Sequence, residues 1–191
     1  RDALETPFAL GGAPCILVDT AGIRRKARID DRVERFSVNF ALRSVDRGDL
    51  IIHVIDGPEG VTDQDAQILS YSVERGKALL LAVNKWDLLA KETNTARDFE
   101  AEMKRKIAPF SDVPIVFISV YDKQRIFKAV EVALEVFENR ARKIKTSQLN
   151  EVMQPEIERH SPPMHRGRTV NIKYMNQLPT PYPAFVFYCS N

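Results

Sequence analysis

Four short apolar runs, each closing on a polar cluster, do most to limit what this chain can fold into. Residues 14–18 run into Asp19-Thr20-Ala21-Gly22, and residues 50–55 into Asp56-Gly57-Pro58. Residues 78–83 run into Asn84-Lys85-Trp86-Asp87, and residues 114–118 into Ser119. The runs are rich in Ile, Val and Leu and show no polar alternation. Strands of a parallel sheet covered on both faces read this way. Helical patterns lie between them, over residues 32–45, 62–75, 95–108 and 126–144. Thr62 is placed as an N-cap and Gly76 as a stop. In the last of these helices Val130, Leu134 and Phe137 form the apolar stripe. Strands alternating with helices predict βαβ units and a doubly wound α/β sheet. Residues 5–10, Gly11-Gly12 and residues 13–19 read as a hairpin, which puts an antiparallel strand at the sheet edge.

The character changes after Ile144. Residues 146–160 predict one more helix, with Leu149, Val152, Met153 and Ile157 as its apolar face and Ser161-Pro162-Pro163 as its end. Residues 168–174 and 184–189 predict two strands around a proline-rich turn. This α-β-β order is a separate α+β unit, so the chain divides into domains 1–145 and 146–191.

Charge follows the same division. From Arg140 to Asn191 there are eight basic residues against three acidic; the rest of the chain has twenty against twenty-three. A basic tail on a slightly acidic body suits an anionic partner, or else a solvated linker helix. No apolar run approaches the roughly 18 residues that cross a bilayer, which predicts no membrane association. The polar opening of the chain does not read as a signal peptide. Cys15 and Cys189 lie far apart without metal-ligand spacing, which predicts buried or half-buried thiols in a reducing cytosol.

The loops at the strand ends sit where open α/β sheets bind ligands. Asp19 can hold a Mg²⁺ through water beside nucleotide phosphates, and the backbone of Gly22 can approach a terminal phosphate oxygen. Asp87 offers a carboxylate that accepts from the ring N–H and exocyclic amine of guanine, an edge that adenine does not present. Asn84 can bond the other edge of the purine and tie neighbouring loops together. The stem of Lys85 can lie over the ring. After Ser119 a backbone N–H can face the guanine carbonyl. Asp19 and Asn84 are 65 residues apart, and Asn84 and Ser119 are 35 apart.

Taken together, Asp19-Thr20-Ala21-Gly22, Asn84-Lys85-Trp86-Asp87 and Ser119-Val120-Tyr121 resemble the Mg²⁺/phosphate, guanine and base-loop motifs of translation-factor-type GTPases. Further strings narrow the resemblance to the bacterial EngA (Der) double-GTPase family. Ile23-Arg24-Arg25-Lys26, Val33-Glu34-Arg35-Phe36-Ser37, Val54-Ile55-Asp56 and Gly60-Val61-Thr62-Asp63-Gln64-Asp65 are similar to its second GTPase domain. Pro162-Pro163, Arg166-Gly167-Arg168 and Ile172-Lys173-Tyr174 are similar to its C-terminal KH-like domain. Arg1-Asp2 looks like the end of the switch I Thr-Arg-Asp stretch.

The resemblance implies a P-loop-NTPase-like G domain over 1–145, without its first strand and Gly-rich phosphate loop. The N-terminal part of a KH-like domain follows over 146–191. It implies binding of GTP and GDP with Mg²⁺, and K⁺ held partly by the Gly-rich loop. The implied phosphate and switch II residues are Asp19, Thr20, Ala21 and Gly22. The implied guanine residues are Asn84, Lys85, Asp87, Ser119 and Val120, where Val120 stands in place of the usual Ala. Ile23 occupies the position at which Ras-type GTPases carry a Gln, and an Ile cannot orient water, so no catalytic side chain is assigned. The implied role is a cytoplasmic GTPase in assembly of the large ribosomal subunit, with rRNA and the other domains of the same protein as partners. A chain without its phosphate loop is expected to be inactive alone. The alternative is a non-catalytic guanine-nucleotide-binding or interaction module; an ATP-using enzyme is disfavoured by Asp87. No Gly-x-x-Gly loop occurs between Thr146 and Asn191, so the second unit reads as an interaction domain rather than an independent RNA reader.

Overall fold

The computed structural model describes residues 4–10, 12–19, 41–89, 95–165 and 167–190. The chain separates into two compact units, Arg1–Phe137 and Glu138–Asn191.

In the first unit the centre is β4 (Ala78–Asn84). It pairs in parallel with β3 (Leu50–Asp56) on one side and β5 (Ile115–Phe117) on the other. Every residue of β4 from Ala78 to Val83 is buried. Alternate side chains enter two different cores, as the period of two requires. Leu79, Leu81 and Val83 pack with Leu69 of α2 (Asp63–Glu74), Met103 of α3 (Thr95–Lys106) and Trp86. Leu80 and Ala82 pack with Ala129 and Ala133 of α4 (Ile126–Ala141). The missing polar alternation of this run is explained by the double cover. Burying one such Leu or Val contributes about 1.5–3 kcal/mol.

Helix α2 starts where the sequence predicts. The Thr62 hydroxyl accepts the Asp65 N–H at 3.3 Å, and the Asp65 carboxylate accepts the Thr62 N–H at 2.8 Å. These two bonds form a reciprocal capping box. The helix ends at Arg75, followed by Gly76 with φ of 62°. Residues 41–47 are also helical (α1), and Ala41 and Val45 pack on Ile68 of α2. The earlier part of the helix expected over 32–45 lies outside the described residues, as do Thr20, Ala21, Gly22 and Ile23.

Several expectations differ from the structure. The hairpin forms, with β1 (Leu4–Leu10) antiparallel to β2 (Ala13–Asp19) from Leu4↔Asp19 to Leu10↔Ala13. It stands as its own two-stranded sheet and is not bonded to β3, β4 or β5 among the described residues. Ile16 is 65% exposed and Leu17 52%, and on β3 Ile52 and Val54 are exposed as well. The apolar run at 14–18 therefore lacks the double cover that its composition predicts. On α4 the buried stripe is Ala129 and Ala133, while Phe137 is exposed. Small residues let this helix lie close to the sheet, and the bulkier Val130, Leu134 and Phe137 fall beside that line. Cys15 is half-buried, but Cys189 is exposed.

The second unit consists of α5 (Thr146–Arg159) and the antiparallel pair β6 (Asn171–Gln177) and β7 (Phe185–Ser190). Among the described residues, Leu149 and Met175 are its buried side chains. The Asn150 side chain accepts the Met175 N–H at 2.7 Å and donates to the Met175 carbonyl at 2.8 Å, so an amide on α5 stands in for a neighbouring strand at that edge of β6. Val152, expected on the apolar face of α5, is 68% exposed. At three residues from Leu149 it has rotated off the line that meets β6. Tyr174 and Tyr188 stack across the two strands, with centroids 4.2 Å apart.

Candidate functional site

The parallel register places Asp56, the last residue of β3, directly beside Asn84, the last residue of β4. The loop after β5 is brought to the same edge by backbone bonds. Ile118 N–H donates to the Val83 carbonyl at 2.8 Å, and Trp86 N–H donates to the Ile118 carbonyl at 3.1 Å. Three strand ends thus meet in one place, at the carboxyl edge of the sheet.

Asn84 is the hub of these loops. Its side-chain oxygen accepts the Val120 N–H at 3.1 Å, and its backbone carbonyl accepts the Gly57 N–H at 2.8 Å. A Cβ on Gly57 would lie 2.8 Å from that same carbonyl, so only glycine allows the approach. Its oxygen is thus engaged, while among the described residues nothing accepts from its NH₂ group, which leaves that group for a ligand.

Lys85 follows with φ of 61°, a left-handed conformation that a non-glycine residue seldom adopts. The Trp86 and Leu88 N–H bonds to Ile118 and Lys85 hold it there. Its ammonium pairs with the Asp56 carboxylate at 2.5 Å. The sequence reading missed this role for Asp56; the signal was present in the paired strand ends. Trp86 is buried against Phe117 and Phe99, which anchors the loop from below.

Asp87 is the middle residue of the short 3₁₀ turn Trp86–Leu88. Its Oδ1 atom is buried and has no hydrogen-bond partner among the described residues. Leaving a buried acceptor unmatched costs about 1–3 kcal/mol, and such an atom in a native fold calls for an explanation. A ligand that presents N–H donors to this edge would satisfy it.

Ser119 is buried, and its hydroxyl accepts the Asp122 N–H at 3.1 Å. Its own N–H donates to the Gln124 carbonyl at 3.2 Å. The N–H groups of Ser119 and Val120 are therefore both engaged inside the protein. A carbonyl entering beside Asn84 would compete with the Asn84 oxygen for the Val120 N–H.

Asp19 lies at the end of β2 and is exposed. Nothing among the described residues brings it against Asn84, Lys85 or Asp87. A single exposed carboxylate fits Mg²⁺, which takes one or two carboxylates and otherwise keeps waters and phosphates. No group of three His, Cys, Asp or Glu capable of holding a metal occurs among the described residues.

One more ionisable pair lies beneath α2. His53 of β3 meets Asp65 at 2.7 Å. Burial pushes the Asp65 carboxyl upward, but hydrogen bonds from His53 and Thr62 outweigh it and hold it below its ordinary value.

Comparison with known proteins covers both units. Residues 1–85 match the family model described as a 50S ribosome-binding GTPase. Residues 143–191 match the KH-domain-like C-terminal part of EngA bacterial GTPase enzymes. Over 190 residues the chain is 47% identical to the GTPase Der of Christiangramia forsetii and 44% identical to that of Flavobacterium psychrophilum. Each alignment takes in 100% of this chain and 44% of the relative, so the chain spans under half the length of these proteins. Among solved structures, Era in complex with MgGDPNP and nucleotides 1506–1542 of 16S ribosomal RNA aligns with a TM-score of 0.58 at 22% identity, over 71% of this chain and 44% of that one. Elongation factor SelB of Methanococcus maripaludis with GppNHp aligns with a TM-score of 0.59 at 18% identity, over 76% and 30%. These structural likenesses establish a G-domain fold.

Proposed function

We propose, for a chain that belongs to the EngA (Der) GTPase family, that the protein it forms part of binds GTP and GDP and hydrolyses GTP to GDP and phosphate. Its place of action is assembly of the large ribosomal subunit in the cytoplasm. The G domain is assigned to 1–145 and the KH-like domain to 146–191, with the boundary in the irregular segment between α4 and α5. The partners are rRNA and the remaining domains of the same protein. No helix among the described residues is long and apolar enough to cross a membrane.

The observation that carries the guanine reading is the buried, unpartnered Oδ1 of Asp87. Guanine presents two adjacent donors, a ring N–H and an exocyclic amine, and a carboxylate accepts both. The Asn84 amide, whose NH₂ group has no acceptor among the described residues, faces the other edge of the purine. The Lys85 stem, held through Asp56, lies along the ring. Val120 supplies the N–H for the guanine carbonyl by exchanging its bond to Asn84, and Ser119 shapes the loop through Asp122 and Gln124.

The phosphates fall to Asp19, Thr20, Ala21 and Gly22 and to the Gly-rich loop expected upstream. Mg²⁺ bound through water at Asp19 would neutralise phosphate charge. K⁺ beside the Gly-rich loop belongs to the same proposal. Ile23 has no polar atom to offer the attacking water. Stabilisation of the transition state therefore rests on backbone groups, bound cations or a partner rather than on that side chain.

The test compares the intact protein with residues 1–191 alone for GTP turnover and guanine-nucleotide affinity. Turnover is expected from the intact protein, and weak binding without turnover from the isolated chain. An intact protein that binds guanine nucleotide without hydrolysing it would reduce the assignment to a binding module.

A further inference from the structure

Tyr121 at 90% and Phe127 at 84% have the highest exposures of any large hydrophobic side chain among the described residues. A lone exposed apolar side chain is ordinary. Two aromatic ones at the top of that range, six positions apart across the loop after β5 and the first turn of α4, are not ordinary. Between them lie the polar Asp122-Lys123-Gln124-Arg125 and then Ile126, and Lys128 follows Phe127. Lys128 pairs with Glu131 at 3.3 Å on the surface. Lys123 and Arg125 have no ion pair among the described residues.

The loop is also built to hold one shape. Ser119 and Gln124 exchange backbone bonds of 3.2 and 2.9 Å, Lys123 N–H reaches the Val120 carbonyl at 3.3 Å, and Asp122 N–H reaches the Ser119 hydroxyl. Lys123 and Arg125 adopt φ of 55° and 57°, both left-handed. Residues other than glycine persist there where the surroundings over-determine the backbone, and such positions cluster at functional sites. A loop closed in this way presents its aromatics without a large ordering cost on binding.

We propose that residues 121–128 form a stacking surface for single-stranded nucleic acid. Bases would stack on Tyr121 and Phe127, and phosphates would meet Lys123, Arg125 and Lys128. Every base has a π face, so aromatic side chains set among cations fit a strand of any sequence. A protein partner is the poorer match, because the centres of protein interfaces are depleted of Lys. Along the sequence Lys123 and Arg125 fall between the two aromatics, and Lys128 follows the second. The surface lies beside the proposed guanine loop but needs no nucleotide. The choice of RNA over DNA rests on the proposed ribosomal role.

The test uses the intact protein and end-labelled RNA and DNA strands of about twelve nucleotides, within the span that single-strand sites cover. Anisotropy gives affinity, and ultraviolet crosslinking with peptide mapping shows which surface the strand touches. The double substitution Tyr121→Leu/Phe127→Leu removes the rings and keeps apolar bulk; affinity is expected to fall about tenfold or more. Tyr121→Trp and Phe127→Tyr keep the rings, and affinity is expected to stay within about threefold of the starting protein. Lys123→Glu/Arg125→Glu is expected to lower the salt dependence by between one and two phosphate contacts. Crosslinks are expected within residues 120–128. Unchanged affinity in the double Leu variant overturns the proposal, as do crosslinks that all lie elsewhere. Equal losses in the Leu and ring-keeping variants also overturn it, since stacking would then not be the cause. Tighter binding of DNA than RNA would keep the surface and remove the ribosomal reading.

Discussion

The side-chain oxygen of Asn84 accepts the backbone N–H of Val120 at 3.1 Å, which ties the loop after β4 to the loop after β5. One amide therefore sets the spacing between the two loops assigned to the purine. Asn84→Ala is expected to leave the Val120 loop unanchored and to lower affinity for guanine and xanthine nucleotides alike, by about tenfold. Competition binding in the intact protein checks this. Unchanged affinity for both would show that the loops keep their spacing without Asn84.

Gly57→Ala tests the closeness of β3 and β4 at the same edge. The added Cβ would sit 2.8 Å from the Asn84 carbonyl, with Leu89 and Val83 at 3.4 and 3.5 Å. The contact is with backbone, which cannot swing away. A destabilisation of about 1–3 kcal/mol is expected in chemical denaturation. A change within about 0.5 kcal/mol would show that the strand ends separate without cost.

Trp86→Ala should be the most damaging substitution beneath the site. The ring is buried and packs on Phe117 at 4.1 Å and Phe99 at 5.4 Å between centroids. A loss of about 3–5 kcal/mol is expected, with nucleotide affinity falling alongside because Lys85 and Asp87 flank the ring. Stability measured by denaturant, together with binding under native conditions, separates the two effects.

Asp65 gives a signed dependence on pH. Its folded carboxyl lies below the ordinary 3.8, because hydrogen bonds from His53 and Thr62 outweigh the upward push of burial. The unfolded chain therefore takes up this proton first as pH falls. The stabilisation is complete above about pH 4 and is lost as pH falls through the folded value. Asp65→Ala is expected to cost about 1 kcal/mol at neutral pH, through the lost capping box, and to flatten the acid limb of the stability curve below about pH 4. An acid limb identical to that of the starting protein would contradict this.

Much of this was legible in the sequence, and the reasons differ by element. The run at 78–83 lacks polar positions because both faces of β4 are covered, by α2 and α3 on one side and α4 on the other. Thr62 was readable as a cap because its partner Asp65 lies three residues on. The run at 14–18 has the same composition as a covered strand, yet Ile16 and Leu17 are exposed on a separate hairpin. Composition states what a strand could bury against; it does not place the neighbour. The ion pair of Asp56 with Lys85 joins residues 29 positions apart, through strand register rather than local spacing. Val152 failed as a core residue because α5 meets β6 along a narrow line through Leu149 and Asn150. The positions of Tyr121 and Phe127 were equally silent, since an apolar residue in a sequence reads as buried until its surroundings are known.

Exchange of Asp87 for asparagine tests the central claim most directly. The Oδ1 atom of Asp87 is buried without a partner, and the account assigns it to the donor edge of guanine. Asparagine keeps one acceptor and replaces the other with an NH₂ donor, which faces the exocyclic amine of guanine donor to donor. Xanthine carries a carbonyl at that position and restores the match. An unmatched pair in such a site costs about 1–3 kcal/mol, so preference should move by roughly tenfold or more from GTP towards xanthosine triphosphate. The measurement is competition binding of both nucleotides to the intact protein carrying Asp87→Asn. A clear shift towards xanthosine triphosphate is the predicted result; an undiminished preference for GTP would contradict the assignment of Asp87 as the residue that reads the base.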